Sequence, residues 1–241
     1  MFKKLLLTTC FISTAMVGAT QAQDLSRDDV KEIIKEYIQN NPEVILDSVE
    51  EHGRKQQRVD SQQQQKAIEK NIGWFEDNAS LPIAGNKDGD VTIVEFFDYN
   101  CGYCKKAIGD ILTILQEDKN VKFVFIETPI LGQTSKTAAK WAMAAENQEA
   151  YLEYHTALMK HRGPLSELSL RSIAKKVGLD VDQMAKDAES EEIAQKINEK
   201  VEKTNQMGIS GTPAFIINGK LYGGYIGLDR MRTAVKEARQ G

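Results

Sequence analysis

Residues 91–97, Val-Thr-Ile-Val-Glu-Phe-Phe, form an almost unbroken apolar run after the turn residues Gly89 and Asp90, and the motif Cys101-Gly102-Tyr103-Cys104 follows it directly. A run of this length and composition reads as a buried strand. From Gly102 onward Ile108, Ile111, Leu112 and Leu115 recur at helical spacing, and residues 121–126 form a second β-rich run. The order strand, cysteine turn, helix, strand is the beginning of a βαβ unit, which commits this part of the chain to an α/β fold.

The rest of the chain alternates in the same way. Between residues 135 and 206 the apolar positions keep helical spacing: Ala138, Trp141 and Ala142, then Tyr151, His155 and Leu158, then Leu170, Ile173 and Val177, then Ile193, Ile197 and Val201. Gly178 reads as a helix stop. Residues 214–217 read as a strand, Asn218-Gly219 as a hairpin turn into residues 220–222, and residues 228–238 as a closing helix. A helical block therefore interrupts a small mixed-sheet domain.

Upstream, Ser26 and Asp29 make a capping box for a helix carrying Val30, Ile33, Ile34, Tyr37 and Ile38. Pro42 opens a second helix with Val44, Ile45, Leu46 and Val49. Residues 50–66 offer only Val59 as a large aliphatic side chain, and residues 62–65 are four glutamines, so this stretch reads either as a solvated helix or as a flexible spacer. Ile68, Ile72 and Phe75 restore an apolar stripe before Leu81-Pro82 ends the segment. Two short amphipathic helices are not stable alone in water. They either fold back on the main domain or pair with a second copy, and the polar stretch favours the second copy.

The first residues form a separate segment. Lys3 and Lys4 precede an apolar stretch from residue 5 to residue 17, and Thr20 and Ala22 are the small residues expected before a cleavage site, so residues 1–22 read as a secretory leader and the chain as an exported, periplasmic protein. Cys10 leaves with the leader, a lipid-attachment role for it being the lesser alternative. With 31 basic against 35 acidic residues and no block of like charge, there is no footprint for nucleic acid. The expected division is 1–22 leader, 23–72 helical module and linker, and 73–241 catalytic domain with its insertion at about 135–206.

What remains is a single pair of cysteines three apart, which closes no loop and staples nothing. Its value is chemical. Cys101 should stand at a helix N-terminus, where free backbone N–H groups and the helix dipole favour the thiolate, with Cys104 one turn inside. Cys101 is then the nucleophile in thiol–disulfide exchange, and Cys104 resolves the mixed disulfide. A structural zinc site needs two more ligands, and only His52, His155 and His161 are available, none at a paired spacing; His155 continues an apolar stripe and reads as a core histidine. Trp74 and Trp141 read as packing residues. A soft-metal binder for an ion such as Cu(I), or a holdase, remains the alternative class.

The segment Glu95-Phe96-Phe97-Asp98-Tyr99-Asn100-Cys101-Gly102-Tyr103-Cys104, with Gly211-Thr212-Pro213-Ala214-Phe215 far downstream, resembles the DsbA family, from about Val91 to the C-terminus. Gly102-Tyr103 and the extension with Asn41-Pro42-Glu43 are similar to the ScsC-like oligomeric branch, whose members shuffle disulfides. The resemblance implies a thioredoxin fold with an inserted helical domain, plus an N-terminal helical oligomerisation extension. It makes Pro213 a cis-proline beside the cysteines and leaves the Thr212 backbone to pair with an extended substrate. It casts Glu95 as proton acceptor for Cys104; an acid on an apolar strand costs energy unless protonated or bonded, and an outward-facing residue is the other reading. Thr212 is similar to the disulfide isomerases, and Gly102-Tyr103 lacks the imidazole of the strong oxidants, so a less extreme potential is expected. The implied partners are exported proteins bearing thiols or disulfides, a membrane redox partner of DsbB or DsbD type, and further copies of the chain, as a dimer or trimer through residues 23–72. No cofactor is expected.

Overall fold

The computed structural model describes residues 25–78 and 80–240. The leader read over residues 1–22, with Cys10, lies outside them. The described residues divide into two compact units that part between Gln56 and Gln57.

In the first unit, helix α1 (Arg27–Asn40) starts with the anticipated capping box: Ser26 Oγ accepts from the Asp29 amide at 3.2 Å, and Asp29 Oδ2 accepts from the Ser26 amide at 3.0 Å. Asn41 ends it, its amide and its side-chain Nδ2 both donating to the Tyr37 carbonyl. Helix α2 (Pro42–Asp77) begins at the proline and runs without interruption through the polar stretch, so residues 50–66 are helix rather than flexible chain. None of α1 is buried, and Val30, Ile33, Ile34, Tyr37, Val44, Ile45, Leu46 and Val49 are all exposed within this unit.

The second unit is built on a sheet of β1 (Ile83–Gly85), β2 (Val91–Phe97), β3 (Val121–Glu127), β4 (Ala214–Ile217) and β5 (Lys220–Gly223), in the order β1-β3-β2-β4-β5. Strands β2 and β3 are parallel, joined by α3 (Gly102–Glu117); the other pairs are antiparallel. The parallel pair is central and buried on both faces, as its continuous apolar sequence requires. Strand β1 is too short to carry a period and was not evident from the sequence. In the Asn218-Gly219 turn both residues take positive φ, 47° and 82°, the conformation that an Asn-Gly hairpin demands.

Helices α4 (Gln133–Glu146), α5 (Tyr151–Lys160), α6 (Glu167–Val177), α7 (Val181–Ala188) and α8 (Glu191–Gln206) intervene between β3 and β4, and α9 (Leu228–Gln240) closes the chain. Gly178 ends α6 in the left-handed conformation, φ 89°. One sheet face, with Ile93, Phe97, Phe123, Phe125, Phe215 and Ile217, packs in one core with residues of α3, α9 and the inserted helices. The opposite face, with Val94, Phe96, Val124, Ile126, Ala214 and Ile216, is covered by Ile68 and Phe75 of α2 and by Met207 and Ile209. The boundary expected near residue 72 lies within α2, and α2 residues ahead of it already pack in the second unit, Gln64 about two turns and Ile68 about one turn earlier.

Candidate functional site

Strand β2 ends at Phe97, and a tight turn carries the chain to Cys101, whose amide donates to the Asp98 carbonyl at 3.0 Å. The turn is held by the Asp98 side chain, which is 1% exposed: Oδ1 accepts from the Asn100 amide and from Ser135 Oγ, both at 2.7 Å, and Oδ2 from the Leu131 amide at 2.9 Å. Asn100 Nδ2 donates to Thr134 Oγ1 and Ser135 Oγ at 2.8 Å each. The cysteine turn is therefore bolted to the N-terminus of α4, and sequence reading gave Asp98 no role.

Cys101 is the N-cap residue of α3, with extended backbone, φ −77° and ψ 117°, and Cys104 lies in the first helical turn. Both are free thiols; Cys101 is 8% exposed and Cys104 fully buried. Burial, reinforced by the charge of Glu95, pushes the Cys104 thiol far above its ordinary range. The two cysteines thus differ in access by position alone, the outer one at the helix end and the inner one sealed beneath it.

The Thr212–Pro213 peptide is cis, and the Cys101 thiol donates to the Thr212 carbonyl at 3.2 Å. Cys101, Thr212 and Pro213, separated by more than a hundred residues in sequence, meet here. Glu95 joins them from beneath. It lies on the sheet face shared with α3, 1% exposed, and neither carboxyl oxygen has a hydrogen-bond partner among the described residues. Burial, then the nearby charges of Cys101 and Glu127, raise its pKa well above the usual carboxyl range and favour its protonated form. Its position is inward.

A second buried cluster lies on the same face. Glu127 Oε1 accepts from Tyr99 Oη at 3.0 Å and Tyr151 Oη at 2.8 Å, and Tyr99 Oη lies 2.9 Å from His155 Nδ1. Burial pushes the Glu127 pKa up to about 8 against the phenol hydrogen bonds and the Lys200 charge, and lowers that of His155 to about 3. His155 is thus a neutral core histidine. The sequence did carry a signal for Lys200, which continues the apolar stripe of Ile193 and Ile197 on α8 and is 1% exposed.

Tyr103, 64% exposed, stacks on Tyr225 with ring centres 6.3 Å apart, and the Tyr225 hydroxyl donates to Asp110 at 2.6 Å. Ile130 and Leu131 are also exposed, on the loop that Asp98 anchors. Trp141 is buried under Arg171, and Trp74 donates to Glu199 at 2.9 Å; neither reaches the cysteines by any contact the structure shows. Among the described residues no three His, Cys, Asp or Glu side chains cluster as a metal site, and no helix is long and apolar enough to cross a membrane.

Chemically, a slightly exposed sulfur at a helix end, a fully buried sulfur one turn inside and a buried carboxyl on the sheet below suit thiol–disulfide exchange. The family model for a DSBA-like thioredoxin domain matches residues 92–237, and that for the copper resistance protein ScsC N-terminal domain matches residues 27–58. A thioredoxin-like oxidoreductase from Silicibacter pomeroyi is 38% identical, covering 69% of this chain and 96% of its own, with a TM-score of 0.67. The thiol-disulfide exchange protein alpha-DsbA2 from Wolbachia pipientis is 32% identical, covering 72% and 95%, with a TM-score of 0.68. A linker-deleted ScsC from Proteus mirabilis, at 23% identity and a TM-score of 0.69, shares the fold over 95% of this chain and 99% of its own. Among curated proteins, the Na(+)/H(+) antiporter NhaA 1 of Salinispora arenicola is 30% identical over 161 residues, 66% of this chain but 25% of that one. This chain thus spans about a quarter of that relative's length.

Proposed function

The chain belongs to the DsbA family and is ScsC-like in its N-terminal segment, and from that premise we propose that it is a periplasmic thiol:disulfide oxidoreductase that forms or isomerises disulfides in exported proteins. The observation that carries this reading is the contact of the Cys101 thiol with the Thr212 carbonyl at 3.2 Å, which places the more exposed of the two sulfurs against the cis-proline loop.

In the oxidised protein a substrate thiolate attacks the Cys101 sulfur. A substrate–Cys101 disulfide forms as the Cys101–Cys104 bond breaks, and Cys104 departs with the electron pair. A buried thiolate there is costly, and Glu95, whose burial favours its protonated form, would supply the proton it takes up. A second substrate thiolate then displaces Cys101, completing a substrate disulfide and leaving two thiols. In the isomerising direction the reduced Cys101 attacks a substrate disulfide, and either Cys104 or another substrate thiol releases it. Net oxidation needs reoxidation and net isomerisation needs reduction, so a membrane partner of DsbB or DsbD type resets the pair. No bound cofactor takes part.

The apolar residues of α1 and early α2 supply the surface for self-association, as a dimer or trimer through residues 23–72, which would gather several Cys101 sites on one misfolded substrate. A second reading, binding of a soft ion such as Cu(I) by the two thiols, draws on the copper resistance description of the N-terminal match.

Replacement of the resolving thiol separates the two. Cys104→Ala is expected to accumulate reductant-sensitive adducts with exported proteins on non-reducing gels, whereas Cys101→Ala accumulates none. Absence of adducts, together with stoichiometric Cu(I) binding that both substitutions abolish, would favour the metal reading instead.

A further inference from the structure

The four glutamines at residues 62–65 have no apolar face, yet two of them are half-buried in the second unit while Gln62 and Gln63 remain exposed. Gln64 Nε2 donates to the Met207 carbonyl at 3.2 Å and to the Gly208 carbonyl at 2.8 Å; Gln65 Nε2 donates to the Gly219 carbonyl at 3.0 Å. Met207 is the C-cap of α8, where carbonyls have no partner within their own helix, and Gly208, at φ 64°, starts the loop to the cis-proline. The missing donors come from α2. One end of the loop is thus pinned by Gln64, and the other carries the Thr212 carbonyl to Cys101.

Beside this loop lies a cavity of about 340 Å³, walled by Gln64, Ile209, Thr212, Pro213, Leu221 and Gly223 among others. We propose that Gln64 is a positioning residue for the cis-proline loop and one wall of a subsite that receives an uncharged side chain of the extended polypeptide joined to Cys101. The inference rests on the oxidoreductase reading and adds to it a preference among substrates. A chain tethered to Cys101 by a disulfide has its nearest residues only a few ångströms from Thr212, since an extended chain advances about 3.3 Å per residue. No described residue lining the cavity is charged, so an ammonium or carboxylate entering it would lose hydration without gaining an opposite charge there. A leucine side chain suits the apolar wall without carrying a charge into it, and a glutamine amide can also bond the backbone polar groups.

The test compares second-order rate constants for reduction of the intact chain, first oxidised to its Cys101–Cys104 disulfide, by dithiothreitol, which needs no subsite, and by short peptides with two free cysteines carrying Leu, Lys or Glu beside the reacting cysteine. The wild-type chain is expected to prefer the Leu peptide to both charged ones. The ratio of the Leu-peptide to the dithiothreitol rate constant should fall in the order wild type, Gln64→Ala, Gln64→Glu, by about tenfold in the last, which sets a carboxylate against two carbonyls. Equal rates with all three peptides would overturn the subsite without recourse to any variant. An unchanged ratio in both variants, or peptide and dithiothreitol rates that fall together, would overturn the positioning role. Inactivity of the wild-type chain toward dithiothreitol and peptides alike would instead bring down the oxidoreductase reading, and this inference with it.

Discussion

Glu95 and Glu127 stand on the same face of the central strands, because residues two apart on a strand share a face and Phe97 pairs with Glu127 in the parallel register. Each carboxyl is nearly sealed from water, and burial favours its protonated form. The folded protein keeps the Glu127 proton up to about pH 8, whereas an unfolded chain releases it near the ordinary carboxyl value. Between those two values the folded state binds the extra proton, so this contribution to stability is complete below the unfolded value and disappears as pH rises through the folded one. The slope approaches about 1.4 kcal/mol per pH unit. Glu127→Gln, which keeps an acceptor for Tyr99 and Tyr151, is therefore expected to flatten the fall in denaturant-unfolding free energy between about pH 5 and about pH 8. An unaltered slope would assign the titration to other groups, Glu95 first among them. The strand period revealed that Glu95 was out of place in an apolar run, but not which way it faced, because an isolated acid fits either a solvated or a protonated position.

At the scale of elements, α2 is the member whose role changed most between sequence and structure. Its residues 64–75 cover the sheet face that the inserted helices leave free, with Ile68 fully buried and Phe75 1% exposed among Val94, Phe96, Val124 and Ile216. Trp74 to Glu199 at 2.9 Å and Lys203 Nζ to Asn71 Oδ1 at 3.1 Å tie the same turns to α8. Ile68→Ala is expected to lower unfolding free energy by about 2–5 kcal/mol, read from the urea midpoint, because a fully enclosed site cannot collapse around the missing atoms. Val49→Ala, 66% exposed, should change it by less than about 0.5 kcal/mol. A chain trimmed to begin near residue 71 would lose Gln64, Gln65 and Ile68 together, whereas one beginning at Gln57 keeps them.

For the whole molecule, the question set by the first unit is what its apolar residues meet. Ile33, Ile34 and Tyr37 are each more than half exposed in a single chain, a state that water penalises by about 25 cal/mol per Å² of apolar surface that could be buried. Association of copies, as proposed above, would remove that penalty. The double variant Ile33→Asp, Ile34→Asp is accordingly expected to sediment as a single chain where the wild type sediments as a dimer or trimer. It should also unscramble a misoxidised substrate more slowly while still reacting with dithiothreitol. Sedimentation of the wild type itself as a monomer at micromolar concentration would remove the basis of the oligomer proposal.

Most of the elements were legible in the sequence because strand and helix periods, capping boxes, Asn-Gly turns and helix-stop glycines act within a few residues of one another. The position of the Cys101–Cys104 pair at a strand-to-helix junction was legible too, since the apolar strand run ends just before it and the helical spacing begins just after. The tertiary structure alone decided that Gln64 and Gln65 hold carbonyls more than a hundred residues away, that Asp98 fastens the cysteine turn to α4, and that Glu95 and Glu127 share a buried face. The physical reason is common to all of them. A polar side chain carries the same local signal whether water or a distant backbone group satisfies it, and only the packing of remote segments determines which.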